Sequence, residues 1–226
     1  MKNCNAPENR TARRILPIVC STALVVAFAA LLPQPAHAGQ ITQPRVPAGI
    51  EVPPGSAEDA RAKAFLEGHG AGTQNYICLP SGSGFAWTLF TPEATLFSDN
   101  DRQIITHFFS PNPSENGTIR ATWQHSRDTS VVWAAATPDT TSTDPAFVAT
   151  GAVPWLRLNV VGAQDGPTGG DTLTASKFVQ RLNTSGGVAP LTGCSLSTDV
   201  GKKAFVPYTA DYFFYSTPGA DSNEGN

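Results

Sequence analysis

The chain of 226 residues carries 15 Lys and Arg against 18 Asp and Glu, a formal net charge of −3. Beyond residue 38 the balance is 11 basic and 17 acidic side chains over 188 residues, a net of −6. No basic run survives there, Lys202-Lys203 being the densest cluster, so a phosphate backbone meets repulsion rather than counterion release and nucleic acid is excluded as a partner.

Residues 1–38 read as a signal peptide. Lys2, Arg10, Arg13 and Arg14 make a positive head, "ILPIVCSTALVVAFAALL" an apolar run, and "AHA" a small-x-small site ending at Ala38. The run also reaches the length of an uncleaved anchor, although Pro17 lies inside it. Arg13-Arg14 partly fits a twin-arginine signal, but ordinary secretion is the preferred route. The expected location is secreted or periplasmic, with no stable membrane span after cleavage. Cys4 and Cys20 leave with the leader. Cys78 and Cys194 remain, and their simplest use in an exported domain is one disulfide. No Cys-x-x-Cys or His-x3-His spacing occurs, so neither a metal nor a cofactor is expected.

Residues 39–55 hold four prolines and read as an extended lead-in. Ser56, with Asp59 three residues on, then resembles a capping box opening one short helix, "AEDARAKAFLEG", that Gly68 or Gly70 ends. Past residue 73 the period becomes two. Ile119, Ala121, Trp123 and His125 share a face, as do Phe85, Trp87 and Leu89, and Leu156, Leu158 and Val160. "QIITHFF" is apolar on both faces, and "SGSG", "SDND", "SPNPSENG" and "DGPTGG" supply turns. The pattern predicts a single all-β domain over 56–216, a β-sandwich or partly closed barrel of short strands with one short N-terminal helix. The tail at 217–226 is predicted to be disordered.

"VPYTADYFFY" (206–215) closes that domain. Tyr212 and Phe214 face one way and Phe213 and Tyr215 the other, which predicts a strand covered on both sides. Pro207 suits the strand's entry.

"GTQNYIC" (72–78), "PEATL" (92–96), "FVQRLNTSGGVAP" (178–190), Cys194 and "VPYTADYFFY" together resemble an uncharacterised domain family of exported bacterial and fungal proteins. The resemblance spans roughly residues 70 to 216. Here His107 and Trp123 are separated by a longer insert than in the family, and "DTS" (128–130) stands where the family has Asp-Gly-Ser. Some fungal relatives carry the labels malate dehydrogenase or kinase-interacting protein. Hydride transfer needs a Gly-rich turn between strand and helix, and "GSG" at 82–84 leads into a strand, so the dehydrogenase label is rejected.

No Gly-x-Ser-x-Gly elbow is present, and "SDND" lacks the Gly and distal Glu of a calcium loop. Glu93, Asp128 and Asp211 are the carboxylates in or beside strands, and His107 and His125 the strand histidines. If there is a site, it is expected among polar side chains set in apolar blocks: Gln74, Tyr76, His107, Arg181, Tyr208 and Asp211, with Asp211 and Arg181 as a charged pair. Two functions follow. One is a non-enzymatic exported domain binding a glycan, small molecule or envelope partner. The other is an extracellular hydrolase using Asp and His as acid and base. A concave pocket joining His107 to a carboxylate would favour the second.

Overall fold

The computed structural model describes residues 41–53 and 62–216. The expected leader, the start of the expected helix at Ser56 and Asp59, and the tail lie outside the described residues. Nine strands follow in chain order: β1 (Lys63–Ser81), β2 (Gly84–Phe97), β3 (Gln103–Asn112), β4 (Thr118–His125), β5 (Val131–Ala135), β6 (Thr141–Ser142), β7 (Trp155–Gln164), β8 (Phe178–Gly186) and β9 (Lys203–Ser216). Each of the eight long strands pairs antiparallel with its neighbours in sequence, β5 joins β7, and β9 returns to β1. The architecture is therefore a closed eight-stranded up-and-down barrel rather than a sandwich, and closure leaves no bare edge among these strands. The two-residue β6 extends the edge of β7 that β5 occupies.

The expected helix is corrected by the first half of β1. Its second half, Lys63 to Gly68, is strand, and the helical pieces among the described residues are single 3-10 turns. Pairing explains the difference: Leu66 lies opposite Phe214 and Gly68 opposite Tyr212, so β1 meets the aromatic strand that closes the barrel. Nor are the strands uniformly short, since β1 has 19 residues and β2 and β9 have 14 each. Gly70 and Gly72 face inward because larger residues would collide there. A Cβ on Gly70 would press on the Tyr212 ring, and one on Gly72 would overlap the backbone of Glu93 and Ala94.

Two apolar cores flank the wall. Inside the barrel, Leu96, Ile105, Trp123, Leu158, Leu173, Val179, Tyr212 and Phe214 pack together. Outside it, Leu182, Phe213 and Tyr215 pack with Trp155 and Val148, and Ile50 of the lead-in covers them. Gln180 fastens this cover by donating to the Ile50 carbonyl at 2.6 Å, and Arg157 donates to the Glu51 carbonyl at 2.7 Å. The described part of the lead-in, residues 41–53, makes a 3-10 turn at Ala48–Ile50 and is seated on the barrel. Both faces of β9 are buried over Tyr212 to Tyr215, as the aromatics there predict, whereas its first half is exposed on the outer face.

The loop between β7 and β8 closes one end. Its Leu173 is fully buried in the interior core, and the Thr172 amide donates to Asp128. Asp128 also accepts from the Ser130 amide and hydroxyl and from His125 Nδ1. Burial pushes the Asp128 carboxyl up, but the hydrogen bonds from Thr172 and Ser130 outweigh it and hold the group well below the usual carboxylate range. Thr129, standing where the resembled family has Gly, takes φ +58°. That conformation costs a β-branched residue roughly 1–2 kcal/mol. Thr129→Gly is therefore expected to raise unfolding stability by up to about 1 kcal/mol, read as a higher urea midpoint, after allowing for the larger chain entropy of Gly. A lowered midpoint would contradict the strain.

Candidate functional site

The opposite end of the barrel is open. A cavity of about 290 Å³ lies at this end, lined in part from β4, β5 and β7, with the exposed Ile119 and its neighbour Arg120 at its rim. Small residues make this room: Ala121 on β4 and Ala134 on β5 face inward where larger side chains would fill the interior. Leu156, Leu158, Leu89 and Phe109 complete apolar walls. The floor is aromatic. His107 stacks on Trp123, centroids 4.3 Å apart and planes 9° from parallel, and Tyr212 lies 5.3 Å from His107.

Three of the six predicted site residues line this cavity: Gln74 from β1, His107 from β3 and Arg181 from β8. His107 is 3 % exposed, and burial holds its imidazole down to about 3, so it is neutral at ordinary pH. Its Nδ1 lies 2.8 Å from the Thr122 carbonyl. A carbonyl only accepts, so Nδ1 carries the proton and Nε2 presents a lone pair. Gln74 is 1 % exposed, and its amide nitrogen has no hydrogen-bond partner among the described residues. The indole nitrogen of Trp123 is likewise without one. Arg181 donates through Nε and Nη2 to the Pro154 carbonyl at 3.2 and 2.8 Å.

Tyr76 and Tyr208 stand behind this lining. The Tyr76 phenol donates to the Gly187 carbonyl at 2.7 Å and ties down the loop between β8 and β9. The Tyr208 hydroxyl lies 3.1 Å from that of Tyr212. Burial pushes the phenols of Tyr76, Tyr208 and Tyr212 up, with the Arg181 charge acting against it in each case.

Asp211 is elsewhere, and the expected pair with Arg181 does not form. Residues 208, 210, 212 and 214 of β9 point inward, so Asp211 projects from the outer wall. There it meets His69 Nδ1 at 2.7 Å and accepts from Asn183 at 2.8 Å, while His69 Nε2 contacts Asp99 at 2.9 Å. Glu67, His69 and Asp211 offer ligand atoms within 4.8 Å of one another. The two carboxylates, Asp211 before Asp99, raise His69 to about 9, so at neutral pH it is an imidazolium paired to both. Folded-state protonation above the unfolded value of about 6.5 makes the stabilisation full below pH 6.5 and lost as pH rises through 9. His69 is 45 % exposed, so the contribution is expected to stay under about 1 kcal/mol. Urea midpoints measured from pH 6 to pH 10 should fall in the wild type and flatten in Asp211→Asn. An equally steep fall in the variant would contradict the pairing.

The other carboxylates considered from sequence are engaged separately. Asp128 caps the closed end, and Glu93 accepts from Asn75 at 3.3 Å. Among the described residues no carboxylate lines the cavity. Sequence reasoning missed Ala121, Ala134 and the leucines of β7 as lining, and placed Trp123 in the core without its place under His107. The available signal was the run of small residues at 134–136 in an otherwise bulky strand.

A family model described as "Protein of unknown function (DUF3455)" matches residues 59–216. No curated protein and no solved structure matches the chain.

Proposed function

We propose that this chain, which belongs to the DUF3455 family of proteins of unknown function, is an exported β-barrel that binds a small molecule in its open end without transforming it. One observation carries the reading: a cavity of metabolite size ends on Gln74, a polar side chain almost wholly buried whose amide nitrogen has no partner among the described residues. Leaving such a donor unsatisfied costs roughly 1–3 kcal/mol, which a bound acceptor would recover. Eight-stranded barrels are just wide enough to be filled or to hold one small ligand, and small inward alanines favour the second here. Export is part of the proposal, supported by the leader pattern and by the Cys78–Cys194 bridge.

A hydrolase fits less well. The Nδ1–H of His107 is engaged in a hydrogen bond to a backbone carbonyl, and no acid stands opposite the ring in the cavity. Nor do the walls resemble a glycan platform, since the rings lie on a buried floor. A thermal-shift screen of compact apolar molecules, charged and neutral, tests the proposal. A ligand at a hundred times its Kd stabilises by about 2.7 kcal/mol, a rise of several degrees. Ala121→Phe, which fills the cavity, should abolish the rise while leaving the circular dichroism unchanged. Hits that bind Ala121→Phe as well as wild type would place binding outside the barrel and sink the reading.

A further inference from the structure

Arg181 is an anomaly in this interior. Its neighbour on β8, Val179, is fully buried in the inner core, and the same strand parity turns Arg181 into the cavity. Cations held in apolar surroundings are ordinarily matched by carboxylates, because desolvating an unmatched charge is costly. The molecule provides its own comparison. Arg120, at the mouth, is gripped by Glu115 through Nε at 2.7 Å and Nη2 at 2.6 Å. Arg181 has only neutral acceptors, the Pro154 carbonyl and the Tyr212 hydroxyl beside it, and no ion-pair partner among the described residues. The nearby phenols of Tyr208 and Tyr212 do not supply the missing charge, since burial keeps them protonated. On the same cavity surface stands the amide nitrogen of Gln74, which completes no hydrogen bond of good geometry although the Tyr208 hydroxyl lies beside it. Apart from Arg120, which Glu115 neutralises, and the neutral imidazole of His107, the remaining walls are hydrocarbon or aromatic.

Resting on the reading of the cavity as a binding site, we infer that its ligand is a small apolar organic acid whose carboxylate is held by Arg181 and Gln74 and whose hydrocarbon or aromatic body lies along Leu156, Leu158, Ala121 and Trp123. One guanidinium and one amide suit a monoanion. The volume sits at the small end of ligand sites, roughly 300–1,000 Å³, and limits the body to about a single ring or a short chain. The acidic balance of the whole chain does not oppose this, because charges beyond about 8 Å are screened at physiological salt.

Calorimetry on the purified protein separates the possibilities, with benzoate and octanoate as acids, methyl benzoate and 1-octanol as neutral counterparts, benzylamine as a cation and inorganic phosphate as a hydrophilic anion. The acids are expected to bind at least about tenfold more tightly than the neutral counterparts, with the amine and phosphate not binding at millimolar concentration. Arg181→Gln is expected to weaken the acids by about tenfold to a hundredfold while leaving methyl benzoate unchanged. Equal binding of acid and neutral probe, tight binding of phosphate, or an Arg181→Gln variant that keeps its affinity for benzoate would overturn the inference and leave the cavity reading standing. If neither acids nor neutral probes bind, the cavity reading itself is overturned. Should Arg181→Gln not fold, the comparison of acid with neutral probe on the wild type still decides.

Discussion

Removing the Cys78–Cys194 bridge is expected to lower unfolding stability by as much as about 4–5 kcal/mol, from a total of roughly 5–15. The bridge spans 116 residues of sequence, with Cα atoms 5.5 Å apart. Most of its effect in the chain-entropy picture is on the unfolded state, which regains a long open loop when the bridge is cut. There is a folded-state contribution as well. Cys78 is fully buried on β1, its amide donates to the Lys202 carbonyl, and Cys194 sits in the loop between β8 and β9, most of which lacks regular structure. The bridge therefore anchors the loop that Tyr76 also holds through Gly187. Residual structure in the reduced chain lowers the figure, so a loss of 2–5 kcal/mol is expected for Cys78→Ser with Cys194→Ser. Guanidinium midpoints of the two proteins at constant pH measure it. A loss below about 0.5 kcal/mol would mean that the bridge constrains nothing the pairing of β1 with β9 does not already fix.

The second large effect concerns the outer core. Phe213→Ala is expected to destabilise by about 3–5 kcal/mol, or roughly 10 °C in Tm, although its side chain points away from the barrel interior. Phe213 is 2 % exposed beneath the lead-in, whereas Phe205 on the same strand is 59 % exposed. Phe205→Ala is accordingly expected to stay within about 0.5 kcal/mol. The same chemical deletion on one strand thus separates a covered face from a bare one. Equal costs at both positions would show that the lead-in does not shield Phe213, and the two-core description would fail.

Parity explains what was legible in the sequence and what was not. Alternation correctly placed Tyr212 and Phe214 on one side of β9 and Phe213 and Tyr215 on the other. The same alternation puts Asp211 with Phe213 on the outer wall; grouping it with Tyr208 by neighbourhood in sequence set it on the wrong face. Gln74, His107 and Arg181 converge because β1, β3 and β8 each turn the right parity inward, and only the closed ring brings them to one end. That closure was not readable, since it depends on β9 returning to β1 and β5 meeting β7 across an insertion. The lost helix has a local cause. "KAFLEGHGAG" carries good helix formers in its first half, yet its glycines recur at every second residue, which is a strand's period. Tertiary pairing with the aromatic strand overrode propensity there.

The cavity itself is tested most directly by the indole resonance of Trp123, assigned by its disappearance in Trp123→Phe and followed during a titration with benzoate. The Trp123 ring lines the cavity, while Trp155 lies in the outer core beneath the lead-in. Saturable movement of the Trp123 indole signal, with the Trp155 signal unmoved, is the predicted result. Movement confined to Trp155, or no movement of either at millimolar benzoate, would contradict the account.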